Sequence, residues 1–345
     1  MSRERKSPTL KQIGAKAGLT ASAVSLALRG DPSIPEETCV RVKKVAESLG
    51  YHPDPELSRL MTYLRKHREA RSVSTLGLLT LHRDPSLWKV NSFLRRLHGS
   101  IAGRAEELGY RTEDFVLMDG EVSPTRLRNI LVARGVKALI LVDGPVRMET
   151  IDFDFSPFAT VTIGYGVGVP LHRVCQHQYQ EMFQLLRHLR ELGYTNPGLV
   201  LEKETNERTQ FHYSSAFTIA RDQGLSSGVP VLVQKEITAQ EFSAWFKRHK
   251  PDVVIAQSPT AATYVSWLRA LKQRVPDDVG FAALDVDIDV KPLCSGIVQN
   301  YEGVASAAVE LVVSEVRCGE RGVPTPPKVL LIEGKWYDGG TTRAK

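Results

Sequence analysis

The chain of 345 residues has little cysteine, no long apolar run and no leader-like N-terminus. Cys39, Cys175, Cys294 and Cys318 are scattered, with no Cys-x-x-Cys pair and no histidine cluster at metal-ligand spacing. Neither a disulfide framework nor a zinc site is therefore predicted. The longest apolar runs, such as 138–142, are far too short to cross a bilayer, and the charged start leads into no apolar segment. We expect a cytoplasmic protein with no membrane partner, no metal and no cofactor.

Three patterns that resemble enzyme or calcium motifs lack the context that each motif needs. Segment 224–228 reads Gly-x-Ser-x-Gly, but a predicted helix precedes it where a nucleophile elbow needs a strand. The glycine-rich segment 164–168 follows a predicted strand, but no helix begins after it. Asp285, Asp287 and Asp289 have the spacing of a calcium loop without its glycine and its final glutamate. We expect no enzymatic activity.

Positive charge is concentrated at one end of the chain. Residues 1–71 contain 14 Lys and Arg against 8 Asp and Glu, whereas residues 72–345 contain 31 of each sign. The formal net charge of +6 therefore belongs to the N-terminal segment. Cationic side chains near phosphates release condensed counterions and give affinity that does not depend on sequence. The asymmetry predicts a nucleic-acid-binding head on a neutral body.

The basic segment reads as a helix-turn-helix. Thr9 can cap a first helix with one apolar or small face, and Gly18 ends that helix. Thr20 then caps a short second helix, and Pro35 begins a third helix that Gly50 ends. Two short helices around a glycine-containing turn are typical of a helix-turn-helix, whose second helix enters the major groove of DNA.

The remainder of the chain alternates apolar strands with amphipathic helices. Predicted strands lie at 75–81, 111–116, 138–142, 159–163, 198–201, 229–233, 252–256 and 329–332, with helices between them and a last helix at 301–317. This order predicts an α/β body of two doubly wound lobes, with a ligand crevice outside the carboxyl ends of the strands. The predicted domains are an all-α head (1–52), a hinge helix and linker (53–71), and a body (72–345) whose lobe one holds about 72–165 and 295–322 and lobe two about 166–294 and 323–345.

The head carries the pattern Thr-Leu-Lys-Gln-Ile at 9–13, Ala-Gly-Leu-Thr at 17–20, Val-Ser at 24–25 and Leu-Gly-Tyr-x-Pro at 49–53. With Leu-Asp at 284–285 and the closing Gly-x-Trp-x-Asp-Gly-x-Thr-x-Arg, the chain resembles the lactose-repressor (LacI) family of bacterial transcription regulators over nearly its whole length. The resemblance implies a body similar to periplasmic sugar-binding proteins. It also implies a hinge helix that folds on operator DNA, with Leu60 wedged into the minor groove. The alternative is that Leu60 and its apolar neighbours pack this helix onto the next domain.

The resemblance assigns the DNA contacts of the head. The predicted DNA-binding residues are Thr9, Ala21, Ser22, Ala23, Ser25, Leu26, Arg29, Thr38, Tyr51, Asp54 and Leu60. Ala21 and Leu26 can make only apolar contacts with base edges, so we expect little direct readout and a large role for the central step that Leu60 kinks. Alternatively, Leu26 turns into the core and Arg29 or Lys6 reaches the bases.

The effector site is less well defined by the sequence. The predicted effector-binding residues are His82, Asp143, His177, Tyr213, Gln257, Asp285 and Gln299. Asp285 and Gln299 match crevice positions of the family. Tyr213 stands where sugar-binding members often have arginine, and Gln257 begins a pair that is often Asn-Asp. Each of these side chains is equally consistent with a loop residue satisfied by water or backbone.

The resemblance implies a DNA-binding transcriptional regulator. It would bind a pseudo-palindromic, double-stranded operator as a homodimer and respond to a small-molecule effector, most plausibly a carbohydrate or its derivative. Two alternatives are a small-molecule-binding protein whose head is incidental and an α/β enzyme fused to a DNA-binding domain. The first would normally carry an export signal and the second a catalytic cluster at the crevice.

Overall fold

The computed structural model describes residues 9–28, 34–51, 74–81, 91–117, 122–142, 150–289 and 294–344. The chain divides into two compact units, Met1–Ser72 and Val73–Lys345, which we call the head and the body. Within the described ranges, no helix is long and apolar enough to cross a membrane.

The head is built from three short helices around one small core. They are α1 (Leu10–Ala17), α2 (Ala21–Leu28) and α3 (Glu36–Ser48). Ile13, Val24 and Val42 are fully buried between them. Gly14 faces the backbone carbonyl of Leu19 so closely that a Cβ atom would clash with it. Glycine therefore sets the close approach of α1 to the turn that follows, and the predicted helix-turn-helix is confirmed.

The first lobe of the body is a parallel sheet of six strands with helices on both faces. Its strands are β1 (Ser74–Thr80), β2 (Tyr110–Val116), β3 (Ala138–Val142), β4 (Ala159–Ile163), β5 (His172–Gln176) and β11 (Val329–Ile332), and its helices are α4 (Ser92–Glu107), α5 (Pro124–Ala133) and α11 (Tyr301–Cys318). The strand order is β11-β5-β4-β3-β1-β2. Helices α4 and α11 cover one face and α5 covers the other.

The second lobe repeats this design. Its strands are β6 (Pro197–Glu202), β7 (Leu232–Gln234), β8 (Val253–Ala256), β9 (Gly280–Ala283), β10 (Ser295–Val298) and β12 (Lys335–Tyr337), and its helices are α6 (Gln178–Glu191), α7 (Lys203–Arg208), α8 (His212–Ala220), α9 (Ala239–His249) and α10 (Ala261–Ala270). The order is β12-β10-β9-β8-β6-β7, with β12 antiparallel to β10. Helices α6 and α8 cover one face, and α9 and α10 cover the other. The two sheets confirm the predicted pair of doubly wound lobes.

The predicted lobe boundaries are wrong at three strands. Strands β5 and β11 belong to the first sheet, although the prediction placed them, within 166–294 and 323–345, in lobe two. Strand β10 belongs to the second sheet, although the prediction placed it, within 295–322, in lobe one. The chain therefore crosses between lobes three times, after β5, after β10 and after β11. We call these segments the first (176–178), second (298–301) and third (332–335) crossovers.

Polar residues hid strand β5 from the sequence pattern. His172 and Arg173 are both buried in it. The guanidinium of Arg173 donates to the carbonyl oxygens of Val167 and Val169 at 3.2 and 3.3 Å. His172 accepts a hydrogen bond from the backbone amide of Lys328 at 2.8 Å, next to β11. Because these groups have protein partners, a strand with little apolar character still lies inside the lobe.

Candidate functional site

The helix-turn-helix is held by side-chain caps at the start of both helices. The Thr9 hydroxyl accepts from the amide of Gln12, whose side chain accepts in return from the Thr9 amide at 2.8 Å. Thr20 accepts from the amide of Ala23 at 3.2 Å and so caps α2. Both caps satisfy helix amides that would otherwise lack partners.

The second helix buries Val24 and Ala27 and leaves other positions for contact. Ala23 and Leu26 are half-buried. Among the described residues of the head, Leu26 is not one of those that pack against the core. Thr38 is half-buried on α3, and Tyr51 packs against the core with part of its ring.

Several predicted DNA contacts lie outside the described part of the chain. They are Arg29, Asp54 and Leu60, together with the side chains of Ala21, Ser22 and Ser25. These assignments stay predictions, as do those for Thr9, Ala23, Leu26, Thr38 and Tyr51.

A cavity of about 500 Å³ lies between the two lobes of the body. Its walls come from the start of α4, the ends of β4 and β5, helices α7 and α8, and the segments that follow β8, β9 and β10. This is the carboxyl-terminal edge of both sheets, where open α/β folds hold their ligands. The volume is within the ~300–1,000 Å³ that small-molecule sites occupy.

Four of the predicted effector-binding side chains line this cavity: Tyr213, Gln257, Asp285 and Gln299. His177 is a correction. It does not line the cavity, because its imidazole Nδ1 accepts from the amide of Gln180 at 3.3 Å and caps α6. His82 and Asp143 lie outside the described residues.

Asp285 sits at the second-lobe wall of the cavity. Its carboxylate accepts from the backbone amide of Ser258 at 2.7 Å and from the side chain of Gln257, which in turn accepts from Thr205 at 3.0 Å. Burial raises the pKa of Asp285 to about 6, although these hydrogen bonds oppose the shift. Asp285 is therefore ionised at neutral pH and offers a desolvated acceptor to a ligand hydroxyl.

A second polar cluster joins all three crossovers. The Gln299 amide nitrogen donates to the Tyr213 hydroxyl at 2.9 Å, and its oxygen accepts from the Tyr301 hydroxyl at 2.7 Å. Behind them lies the buried carboxyl of Glu181, on the first turn of α6 next to the first crossover. It accepts from the amide of Gly334, in the third crossover, at 3.1 Å and from Gln299, in the second, at 3.4 Å.

The environment of Glu181 keeps its carboxyl neutral. Burial raises the pKa of Glu181 to about 8, and the hydrogen bond from Gly334 opposes that shift. A side chain at position 334 would meet Ile297 and the Glu181 carboxyl itself, so glycine is needed for this approach. The cluster therefore joins the second and third crossovers to one buried carboxyl next to the first.

An ionic contact also joins the lobes at the rim of the cavity. Arg96 on α4 lies 3.2 Å from the carboxylate of Asp287 and 3.4 Å from that of Asp289, both after β9. The Ser92 hydroxyl also donates to Asp287. We call this group the rim latch. Among the described residues, no cluster of three or more His, Cys, Asp and Glu side chains is placed to hold a metal ion.

Sequence reasoning missed several cavity and interlobe residues. Gln176 and Gln178 line the cavity on either side of His177, and Glu181 and Arg96 join the lobes. If β5 had been recognised as a strand, the position of Gln176 and Gln178 after an apolar pair would have predicted that both residues line the cavity. Nothing in the sequence pattern distinguishes Glu181 or Arg96 from ordinary helix-surface residues.

Two family models match the chain. Residues 9–54 match the model described as bacterial regulatory proteins, lacI family, and residues 186–342 match the periplasmic binding protein-like domain. The first matched range contains the helix-turn-helix and the second contains most of the second lobe.

Similar proteins match along nearly the whole chain. The transcriptional regulator MalR of Streptomyces coelicolor is 25% identical over 339 residues, covering 92% of this chain and 91% of MalR. CelR of Thermobifida fusca is 23% identical and covers 95% and 96%. Among solved structures, the Lac repressor dimer bound to operator and the anti-inducer ONPF has a TM-score of 0.56 at 16% identity, covering 98% of this chain and 100% of that one. A CelR–cellobiose complex has a TM-score of 0.55 at 17% identity and covers 97% and 99%.

Proposed function

We propose that the two units of the chain cooperate as a DNA-binding transcriptional regulator similar to the lacI family of bacterial regulatory proteins, which residues 9–54 match. It acts as a homodimer whose heads occupy the half-sites of a pseudo-palindromic operator. A carbohydrate bound in the interlobe cavity changes its affinity for that DNA. The protein acts in the cytoplasm, where its operator lies, and it carries out no catalytic step.

The observation that carries this proposal is the chemistry of the cavity. A buried carboxylate, several carboxamides and three tyrosine side chains line a cavity of about 500 Å³ between the lobes. The rings of Phe93 and Tyr301 lie 4.3 Å apart at the same wall and give it an apolar part. Hydroxyl-rich ligands with apolar ring faces match that mixture. The similar fold of the CelR–cellobiose complex supports the same class of ligand.

Coupling to DNA follows from the position of the cavity. A ligand that touches both lobes favours the lobe arrangement in which both sets of contacts form. The first lobe follows the head in the chain, so a change in lobe arrangement alters the spacing of the two heads in a dimer. Spacing decides whether both half-sites are filled together.

The test begins with the full-length protein and a duplex selected from random DNA. We expect anisotropy titrations with cellobiose and maltose to show that a sugar changes operator affinity, within the ~5- to 150-fold range usual for such coupling. Asp285→Ala should bind the operator without sugar as the wild type does and lose the response. An operator affinity that no sugar changes, or a monomer in light scattering at the same concentration, contradicts the proposal.

Leu60→Ala tests the predicted wedge separately. If Leu60 unstacks the central step, the variant should lose affinity for the selected duplex and keep its affinity for random DNA. Equal losses on both duplexes would assign Leu60 to packing.

A further inference from the structure

Two buried side chains of the cavity have no hydrogen-bond partner among the residues that the structure describes. Gln176 ends β5 and Gln178 begins α6, on either side of His177 in the first crossover. Both line the cavity, with only 8% and 6% of their surfaces exposed. Throughout the described ranges, neither carboxamide takes part in a hydrogen bond, and the Gln178 Oε1 atom is fully shielded without a donor.

The other two glutamines of the cavity are already paired. Gln257 is held by Thr205 and Asp285, and Gln299 by Tyr213 and Tyr301. A buried polar group without a partner costs about 1–3 kcal/mol. Native proteins pair nearly all such groups, so these two carboxamides stand out as hydrogen-bonding groups that the described part of the chain leaves unpaired.

The charges of the cavity wall restrict the class of ligand. Among the described residues, the charged side chains that line it are those of Arg208, Asp285 and Asp287. Asp287 is paired with Arg96, and Arg208 is attracted to Asp285. Binding of a phosphate or carboxylate group is favoured by converging cationic donors, and the arginine in the described part of the wall is already attracted to a carboxylate. This part of the wall therefore favours an uncharged ligand.

We propose that Gln176 and Gln178 are specificity-determining residues for a neutral, unphosphorylated carbohydrate, and this rests on the carbohydrate site proposed above. Each carboxamide offers an acceptor and donors, so each can pair with a sugar hydroxyl in both directions. Gln176 belongs to the first lobe and Gln178 to the second. A sugar that bonds to both of them and to Asp285 links the first crossover to the opposite wall.

The experiment measures binding and stability in the same full-length variants. Titration calorimetry uses cellobiose, maltose, glucose and glucose 6-phosphate as probes. Gln176→Leu and Gln178→Leu keep the bulk of each side chain and remove its polar atoms. Gln180→Leu is the matched control, because Gln180 lies on α6 like Gln178 but does not line the cavity.

We expect a neutral probe to bind the wild type, and each cavity variant to weaken that binding about ten-fold or more. Gln180→Leu should leave the affinity unchanged. Without sugar, the cavity variants should melt at the same temperature as the wild type or higher, because an apolar side chain replaces an unpaired carboxamide. A residue needed only for folding would give the opposite result, a lower melting temperature.

Each other outcome rejects a defined part of the reasoning. If a neutral sugar binds and the cavity variants keep its affinity, or if they melt at lower temperature, the role of the glutamines is rejected and the carbohydrate site stands. If only glucose 6-phosphate binds, the neutral class is rejected. If no probe binds the wild type, this inference and the proposed carbohydrate effector both fail.

Discussion

Replacing Glu181 with glutamine should remove a pH dependence that the fold builds into its crossovers. The Glu181 carboxyl accepts from the Gly334 amide and lies 3.5 Å from the Tyr213 hydroxyl. Glutamine has nearly the same volume and keeps the acceptor toward Gly334; its amide nitrogen can donate to the Tyr213 hydroxyl but loses the 3.4 Å hydrogen bond from Gln299. The substitution therefore changes ionisation with little change in packing.

The sign and size of the effect follow from the two ionisation states. In the folded protein burial holds the pKa of Glu181 at about 8, whereas its ordinary value is 4.5. Between these values the unfolded chain binds fewer protons than the folded protein, so the free energy of unfolding falls as pH rises. One group contributes at most about 1.4 kcal/mol per pH unit, hence up to about 3 kcal/mol between about pH 5.5 and 7.5. Glutamine does not titrate, so the free energy of unfolding of Glu181→Gln should rise relative to that of the wild type as pH increases across this window.

Urea unfolding at several pH values measures this difference directly. Glu236→Gln is the matched control, because Glu236 is exposed and its profile should run parallel to that of the wild type. The melting temperature gives an independent readout, because it should change by about 2–4 °C for each kcal/mol of change in the free energy of unfolding. If the profiles of Glu181→Gln and the wild type are parallel from about pH 5.5 to 7.5, the carboxyl is not held neutral and the reasoning is wrong.

The fold was largely predictable because its signals are local. Caps such as Thr9 and Thr238, glycines that end helices, and apolar strands such as β3 each identify one element within a few residues. The lobe boundaries were not, because sheet membership depends on which strands pair. The prediction separated 172–176 from the first sheet, where β5 pairs with β4 and β11.

The predicted residues of the cavity came from two kinds of signal. Gln257 follows a predicted apolar strand, which places it at the carboxyl edge of a sheet, whereas Asp285 and Gln299 were assigned from the family resemblance. Gln176 and Gln178 depended on recognising β5. The prediction named His177, which lies between them, as a candidate at a strand end, whereas in the structure its imidazole caps α6. Burial raises the pKa of Glu181, and its contact with Gly334 spans more than a hundred residues of sequence, so no local pattern records either.

Three further predictions concern the lobes and the cavity. Arg96→Gln breaks the rim latch, so X-ray scattering without ligand should give a larger radius of gyration than that of the wild type. Arg128→Gln is the control, because its ion pair lies within the first lobe. Equal radii for the two variants would contradict the role of the rim latch in holding the lobes together. Gly296→Ala should lower the free energy of unfolding by about 1–3 kcal/mol or more, because the added Cβ would clash with the backbone of Ala283 at a φ of +151°. Gly99→Ala is the control, and it should be neutral or stabilising because the space around Gly99 is open. Similar effects of the two substitutions would contradict the strand geometry. The last concerns Asp285, whose pKa burial raises to about 6. Its ionised form accepts hydrogen bonds from sugar hydroxyls about twice as strongly as a neutral acceptor. Because that form is lost as pH falls through about 6, calorimetry with cellobiose or maltose should show affinity decreasing below that pH in the wild type. Asp285→Asn should bind more weakly at neutral pH and with no such dependence, since an amide does not titrate. A wild-type affinity that is flat through this window, or an equal slope in the variant, would remove Asp285 from the ligand contacts.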